Sequence, residues 1–271
     1  MDEILKNAIQ KIFGNINIDI SKITQKVTAS PAEAFGKDFW NSLLKIGTTV
    51  IMPFAITILC FAMACELYHV YCKANGELDL QLVSSTFMRF ILPFVLITKT
   101  YDLLQLMFNG FNKLIAQINN SIVTGTAGAL TDPSVLSNKL DSMDFFGKLG
   151  LWTELFPLQV GMKLMSLVIT VIVYGRLFEI VLYWIFAPIP LASFTHSELS
   201  QIGKNFIKMF AAVLLQGGFM LLCVALYALL LRQHVFESTV DGGWHLLGYS
   251  AVLVFTLTKT GTLSKRVLGT F

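Results

Sequence analysis

The sequence predicts an all-α integral membrane protein, with about five transmembrane helices and additional amphipathic interfacial helices. Three observations carry that expectation. Of the 271 residues, 55% are apolar and only 14% are charged, and several uncharged runs are about twenty residues long, enough to cross a hydrocarbon layer of about 30 Å. Soluble domains are roughly a quarter charged, and their cores do not need such runs. The 20 Lys and Arg against 17 Asp and Glu leave a net charge of +3, too small for the basic footprint of a conventional DNA-binding module. Cys60, Cys65, Cys72 and Cys223 form no CxxC pair and read as small hydrophobic side chains. Charges scattered through the first turns (Asp2, Glu3, Lys6, Lys11) leave no basic-then-apolar leader, so no cleaved signal is expected.

Residues 1–41 form the first region. Ile4, Leu5, Ala8, Ile9, Ile12 and Phe13 recur at helical spacing opposite the charges, which predicts an amphipathic helix. A polar linker, Ser21 to Phe39, leads to Trp40 as an interfacial anchor. Residues 42–98 hold the first two transmembrane helices. Ile46–Cys65 is uncharged, and its Pro53 is tolerable where Thr hydroxyls or neighbouring helices serve the stranded carbonyl. A polar loop, Glu66–Asp79, precedes Leu80–Thr98, which carries Arg89 near its middle.

Residues 99–154 comprise an amphipathic helix and a polar loop. Leu104, Phe108, Phe111, Ile115 and Ile118 stand opposite Gln105, Asn109, Asn112, Lys113 and Asn119. Ser121–Asp144, rich in Gly, Ser, Thr and Asp and containing Pro133, reads as a loop. Residues 155–271 form a three-span core. A helix running from Leu155 to Phe194 would be about 60 Å long, twice the hydrocarbon thickness. We expect instead a tilted helix over Met162–Ala187, broken by Pro188 and Pro190, then a loop or short re-entrant piece; two half-spans are the alternative. Met209–Leu231 is the cleanest span, and Gly242–Thr258 makes a fifth. The tail, with Lys259, Lys265 and Arg266 and no acid, reads as cytoplasmic, although the distribution of Lys and Arg over the other loops does not favour that orientation.

Few residues in these spans carry chemistry. Arg176 and Glu179 lie three apart on one helix face, where an intrahelical ion pair lowers the cost of placing both near the membrane. Either they line a channel or subunit interface, or they sit at the bilayer boundary and satisfy each other. Arg89 poses the same choice, with Glu66 and Asp102 as conceivable partners and snorkelling as the plainer reading. Gln216, Gly217 and Gly218 fit helix packing, the glycines admitting close approach and the amide bonding across helices. His69, His196, His234 and His245 lack metal-ligand spacing, and no Walker loop, GxSxG or HExxH occurs. No enzyme activity is expected.

Three stretches, RLFEIVLYWIFAPIPLASF (Arg176 to Phe194), IGKNFIKMFAAVLLQGGFMLLCVALYALL (Ile202 to Leu230) and LTKTGTLSKRV (Leu257 to Val267), resemble the TrbL-type conjugal transfer proteins, in the version carried by mobile elements of Firmicutes. The resemblance implies a multi-pass channel subunit of a type IV secretion system in the cell membrane. It implies work alongside a separate ATPase, scaffold proteins and a coupling protein, and passage of a relaxase-bound single DNA strand. It implies neither catalysis nor a cofactor. Arg176, Glu179, the Ala187–Pro190 turn and Gln216 match the family's core motif. A short central loop and the lack of an extended C-terminal domain depart from larger relatives, so DNA contact would fall to a lined pore, for instance Asn109, Asn112 and Asn119. One five-span bundle is too small to enclose a hydrated strand, which points to a ring-shaped homo-oligomer. A secondary transporter and a poreless membrane scaffold are the alternatives.

Overall fold

The structure is a computed structural model, and it describes residues 25–73, 80–126, 145–195, 200–233 and 241–270. Among these there is no strand, and the membrane-type all-α class holds. The predicted helix at residues 1–13 and most of the predicted loop at 121–144 lie outside the described residues.

The predicted linker is largely helical. Residues 25–28 form a helical turn, followed by α1 (Pro31–Phe35) and α2 (Lys37–Ile46). α1 starts on a capping box: the Ser30 hydroxyl accepts from the Glu33 amide at 3.3 Å, and the Ser30 amide donates to Glu33 Oε2 at 2.9 Å. The Ser30 amide, then its hydroxyl, hold the Glu33 carboxyl below the usual carboxylate range. That contribution is therefore present at neutral pH and is lost as pH falls through the lowered value. α2 continues through a π-helical turn, Gly47–Ile51, into α3 (Met52–Lys73). The wide turn lies just ahead of Pro53, whose ring presses on the carbonyl four residues back. Thr48 and Thr49 hydroxyls donate to the Leu44 and Lys45 carbonyls there. Gly47 is also the one residue that lets the Tyr101 ring close on this turn, since a Cβ would overlap its hydroxyl. α3 runs through half of the polar loop expected after Cys65.

The predicted second span and the amphipathic helix turn out to be two arms of one bent pair. α4 (Leu80–Thr98) and α5 (Thr100–Thr126) meet at Lys99 with a bend of 63°. Thr100 is fully buried at the corner and its hydroxyl donates to the Leu96 carbonyl at 2.7 Å. α6 (Phe145–Phe186) has 42 residues and starts well before the expected Met162, with Pro157 inside it. It stops where Pro188 forbids continuation, and the APIPLASF segment is a one-turn helix, α7 (Pro188–Ala192), with a 3-10 turn, Ser193–Thr195. α8 (Ser200–Gln233) and α9 (Asp241–Val267) complete the chain.

Among the described residues, three helices are long and apolar enough to cross a membrane: Lys37–Cys72, Gln159–Phe186 and Ser200–Leu230. A fourth is added if the bent pair is one span. α9, expected as a fifth, is not among them. Its polar residues Ser250, Thr260 and Ser264 are buried while Val252, Phe255, Leu263 and Val267 are exposed. Thr258, Lys259, Thr262 and Arg266 are exposed beside them, so the outer surface of α9 is mixed.

The chain divides into two compact units. One comprises Met1–Ala29, Lys113–Arg176 and Gln216–Leu263; the other comprises Ser30–Asn112, Leu177–Leu215 and Ser264–Phe271. The first packs Ile115, Met162, Ile169, Val173, Met220 and Leu257 with Val27. The second is built on Trp184. The Trp40, Phe108 and Phe210 rings stand roughly edge-on to it at 5.3, 5.8 and 6.0 Å. Trp40, expected as an interfacial anchor, is thus packed into the core of this unit.

The buried Trp184 indole Nε1 has no hydrogen-bond partner among the described residues. Trp184→Phe removes that unsatisfied donor while keeping most of the ring, so its melting temperature in detergent should stay within a few degrees of the parent. Trp184→Ala should cost about 3–5 kcal/mol. Equal losses for the two would show that the N–H is satisfied after all.

Candidate functional site

The distribution of polarity is inverted relative to a soluble protein. Large apolar side chains such as Phe54, Phe61, Met88, Leu167, Leu226 and Phe255 are exposed on the helices, whereas Arg176, Gln216, Ser250, Thr260 and Ser264 are buried. A polar group that cannot reach water has to bond within the protein. The buried polar contacts are therefore the candidate site.

In the first unit Arg176 is 3% exposed, and its guanidinium donates to the Val27 carbonyl at 3.1 Å. Val27 lies in the turn at residues 25–28, so the arginine satisfies a carbonyl at the C-terminal end of a helical turn and complements its dipole. The neighbouring Lys26 lies over the Tyr174 ring and donates to its hydroxyl. Two cationic side chains thus fasten this N-terminal segment to α6. Gly217 makes room for the arrangement: a Cβ there would come within 2.5 Å of the Arg176 guanidinium. On the same helix Gln216 donates to the Thr260 hydroxyl at 3.4 Å, and Tyr227 shares a 2.9 Å hydrogen bond with Ser250, so α8 and α9 are joined twice. Gly218 faces Ile118, which a Cβ would meet at 3.5 Å, ordinary contact.

In the second unit Glu179 accepts from Lys265 at 3.2 Å. Both are about one third exposed. Arg176 and Glu179 share a helix but each has taken a partner elsewhere, so the expected intrahelical pair gives way to two tertiary contacts. The physical reason is reach: a carbonyl at a helix end and a lysine on α9 offer better-directed partners than a side chain three residues along the same helix. Pro188 is buried and Pro190 half-buried in the α7 turn. The Ser193 hydroxyl there donates to the Pro190 carbonyl at 2.7 Å and accepts from the Gly203 amide at 2.9 Å. Arg89 is exposed, and Asp102, one of its conceivable partners, pairs with Lys99 at 3.3 Å. Asn109 is exposed and accepts from Gln105 at 3.0 Å, while Asn112 and Asn119 are half-buried.

The sequence reading missed Lys265, Thr260 and Val27 as partners. For α9 a signal was available. Ser250, Leu253, Leu257, Thr260 and Ser264 recur every three or four residues as one buried stripe. Chemically, these contacts fix helices to one another. Among the described residues they bring together no nucleophile with a base and no set of metal ligands.

Residues 16–188 match the family described as TrbL/VirB6 plasmid conjugal transfer like protein. No curated protein and no solved structure matches the chain. The matched residues run through α6 into the first residue of α7 and include Arg89, Arg176, Glu179 and Pro188. Pro190, Gln216 and the two more C-terminal stretches that carry the resemblance in the sequence lie beyond them.

Gly217→Val should press on the guanidinium and Arg176→Met should leave the Val27 carbonyl unbonded, each costing about 1–3 kcal/mol of stability in detergent. The double variant should cost less than the sum by about 0.5–3 kcal/mol, because the methionine removes what the valine strikes. Simple additivity would contradict the packing of Arg176 on Gly217. By contrast, Lys265→Glu or Glu179→Lys should each shift stability by no more than about 1 kcal/mol, given their exposure, and the double reversal should recover most of it.

Proposed function

The chain belongs to the TrbL/VirB6 plasmid conjugal transfer-like family, a family of type IV secretion-related membrane components, and from that premise we propose that it is a non-catalytic channel or platform subunit of a conjugative DNA-transfer apparatus. The observation that carries the reading is the match over residues 16–188 on a chain that exposes apolar and buries polar side chains. In this reading the protein sits in the cytoplasmic membrane with its C-terminus in the cytoplasm. Several copies form a ring around part of the translocation path, beside a separate ATPase, a coupling protein and a relaxase-bound single strand.

The buried contacts support placing the path between copies. Arg176, Gln216 and Ser250 bond to groups of the same chain and so act as fasteners, which leaves surfaces shared between copies to provide a wet wall. On α5 the exposed Gln105 and Asn109 give one such uncharged polar stretch. The same saturation of the interior favours one second reading, a poreless scaffold, because it is also what a purely structural helix bundle requires.

Deletion of the gene should lower conjugative DNA transfer to background, with recovery on complementation. Crosslinking in native membranes should give adducts of several copies. A cysteine at Asn109 should crosslink to the transferred strand. Normal transfer without the protein would sink the proposal. Restored transfer with no DNA adduct and no conductance in reconstituted bilayers would select the scaffold.

A further inference from the structure

Two of the candidate spans have an end in the second unit: Gln159–Phe186 finishes in it, and Ser200–Leu230 starts in it. Within that unit the two ends are tied. The Tyr183 ring on α6 stands 5.8 Å from the Phe206 ring on α8, and one turn back on α6 Glu179 accepts from Lys265 on α9. A rise of about 6 Å separates Glu179 from Tyr183, so the first turns of α8 and the last turn of α9 meet the same stretch of α6. Each brings two cations. Lys204 and Lys208 are exposed one turn apart on α8, on the side away from the buried Phe206, and Lys265 and exposed Arg266 close α9. From Met209 to Leu231 α8 carries no charge, so its two lysines stand where the apolar run begins. Glu179 balances Lys265. The remaining three cations are a surplus on these helix ends, or a surplus of two if Glu198, which precedes α8 in the sequence, is set against them.

Exposed apolar side chains share the same ends: Leu182 and Phe186 on α6, Ile202 on α8 and Val267 on α9. Water serves the cations and hydrocarbon serves the apolar groups. The layer that serves both is the one where acyl chains meet phosphates, with lysine and arginine stems lying along apolar surface and their heads reaching outward. A zwitterionic headgroup brings no net charge, whereas an anionic one matches the surplus; each basic group near an anionic leaflet strengthens the attraction about fivefold. A soluble phosphate or a nucleic-acid strand matches the charge but leaves Leu182, Ile202 and Val267 in water.

We propose that the ends of α6, α8 and α9 in this unit form a docking surface for anionic phospholipid, with Lys204, Lys208 and Arg266 on headgroup phosphates and Leu182, Ile202 and Val267 against acyl chains. This rests on the chain lying in a membrane and not on DNA transfer. A chain without lipid preference therefore leaves the proposed role in conjugation standing, and a chain dispensable for conjugation leaves the lipid surface standing.

The full chain, purified in mild detergent, is offered phosphatidylglycerol and phosphatidylcholine with identical acyl chains, and the retained lipids are counted by native mass spectrometry. Phosphatidylglycerol should be retained about tenfold more or better. K204Q, K208Q and R266Q together should cut that preference about tenfold and leave the melting temperature in phosphatidylcholine unchanged, since all three residues are exposed; K204R with K208R should keep the preference. In vesicles of phosphatidylcholine and phosphatidylglycerol, the latter with a photoreactive headgroup, crosslinks on the parent chain should map to residues 200–208 and 264–270, a readout that needs no variant. Glycerophosphoglycerol, which is the same headgroup without chains, and a single-stranded oligonucleotide should each leave the lipid in place at equal concentration. Equal retention of the two lipids, an undiminished preference in the triple variant, or headgroup crosslinks only elsewhere overturns the proposal. So does displacement of the lipid, which by glycerophosphoglycerol would mark a plain phosphate site and by the oligonucleotide a nucleic-acid surface.

Discussion

A polar group removed from water and placed among hydrocarbon chains has to find its partner inside the protein, and that constraint organises this molecule. It explains why a glycine stands at position 217, why Thr260 and Ser264 point inward on α9, and why Thr hydroxyls turn back onto carbonyls around the Pro53 turn and the Lys99 bend. Arg176 is the severest case. It bonds a carbonyl, and it packs where any side chain on residue 217 would intrude. The glycine is thus required by an arginine on another helix and not by the backbone of its own.

The same constraint separates the arginines. Arg176 is enclosed and satisfied within the chain, so it contributes to holding one chain together. Arg89 is exposed, with Ser84 and Ser85 one turn back. Residue type is alike at the two positions; burial and a bonded carbonyl set Arg176 apart. An amphipathic reading of the sequence cannot draw that line, because both residues interrupt apolar runs in the same way.

The limits of the sequence follow from where its signals reside. Helical class, the helix at Met209–Leu231 and the stop ahead of Pro188 are local properties, written in charge-free runs and in a residue that lacks an N–H, and these the helices reproduce. Partners are not local. Val27 and Arg176 are 149 residues apart and Glu179 and Lys265 are 86 apart, so no spacing rule connects them. An intrahelical pair is what spacing suggests, because i,i+3 and i,i+4 are the charge contacts that helical periodicity announces. The early part of α6 was obscured for another reason. Its glycines and Pro157 lower local helix propensity, yet the helix extends through them.

α9 shows how a helix places hydroxyl side chains inside a bundle. In water an amphipathic helix turns its polar face outward, and a scale built on transfer from water treats each Ser or Thr as a vote against burial in lipid. In α9 three hydroxyl side chains, Ser250, Thr260 and Ser264, turn inward beside Leu253 and Leu257, and the first two bond to Tyr227 and Gln216. Its outward surface mixes Val252, Phe255, Leu263 and Val267 with Thr258, Lys259, Thr262 and Arg266, so neither composition nor mean hydropathy marks the buried side. What marks it is the three-to-four-residue recurrence of Ser250, Leu253, Leu257, Thr260 and Ser264, one stripe on which hydroxyls and leucines are buried together.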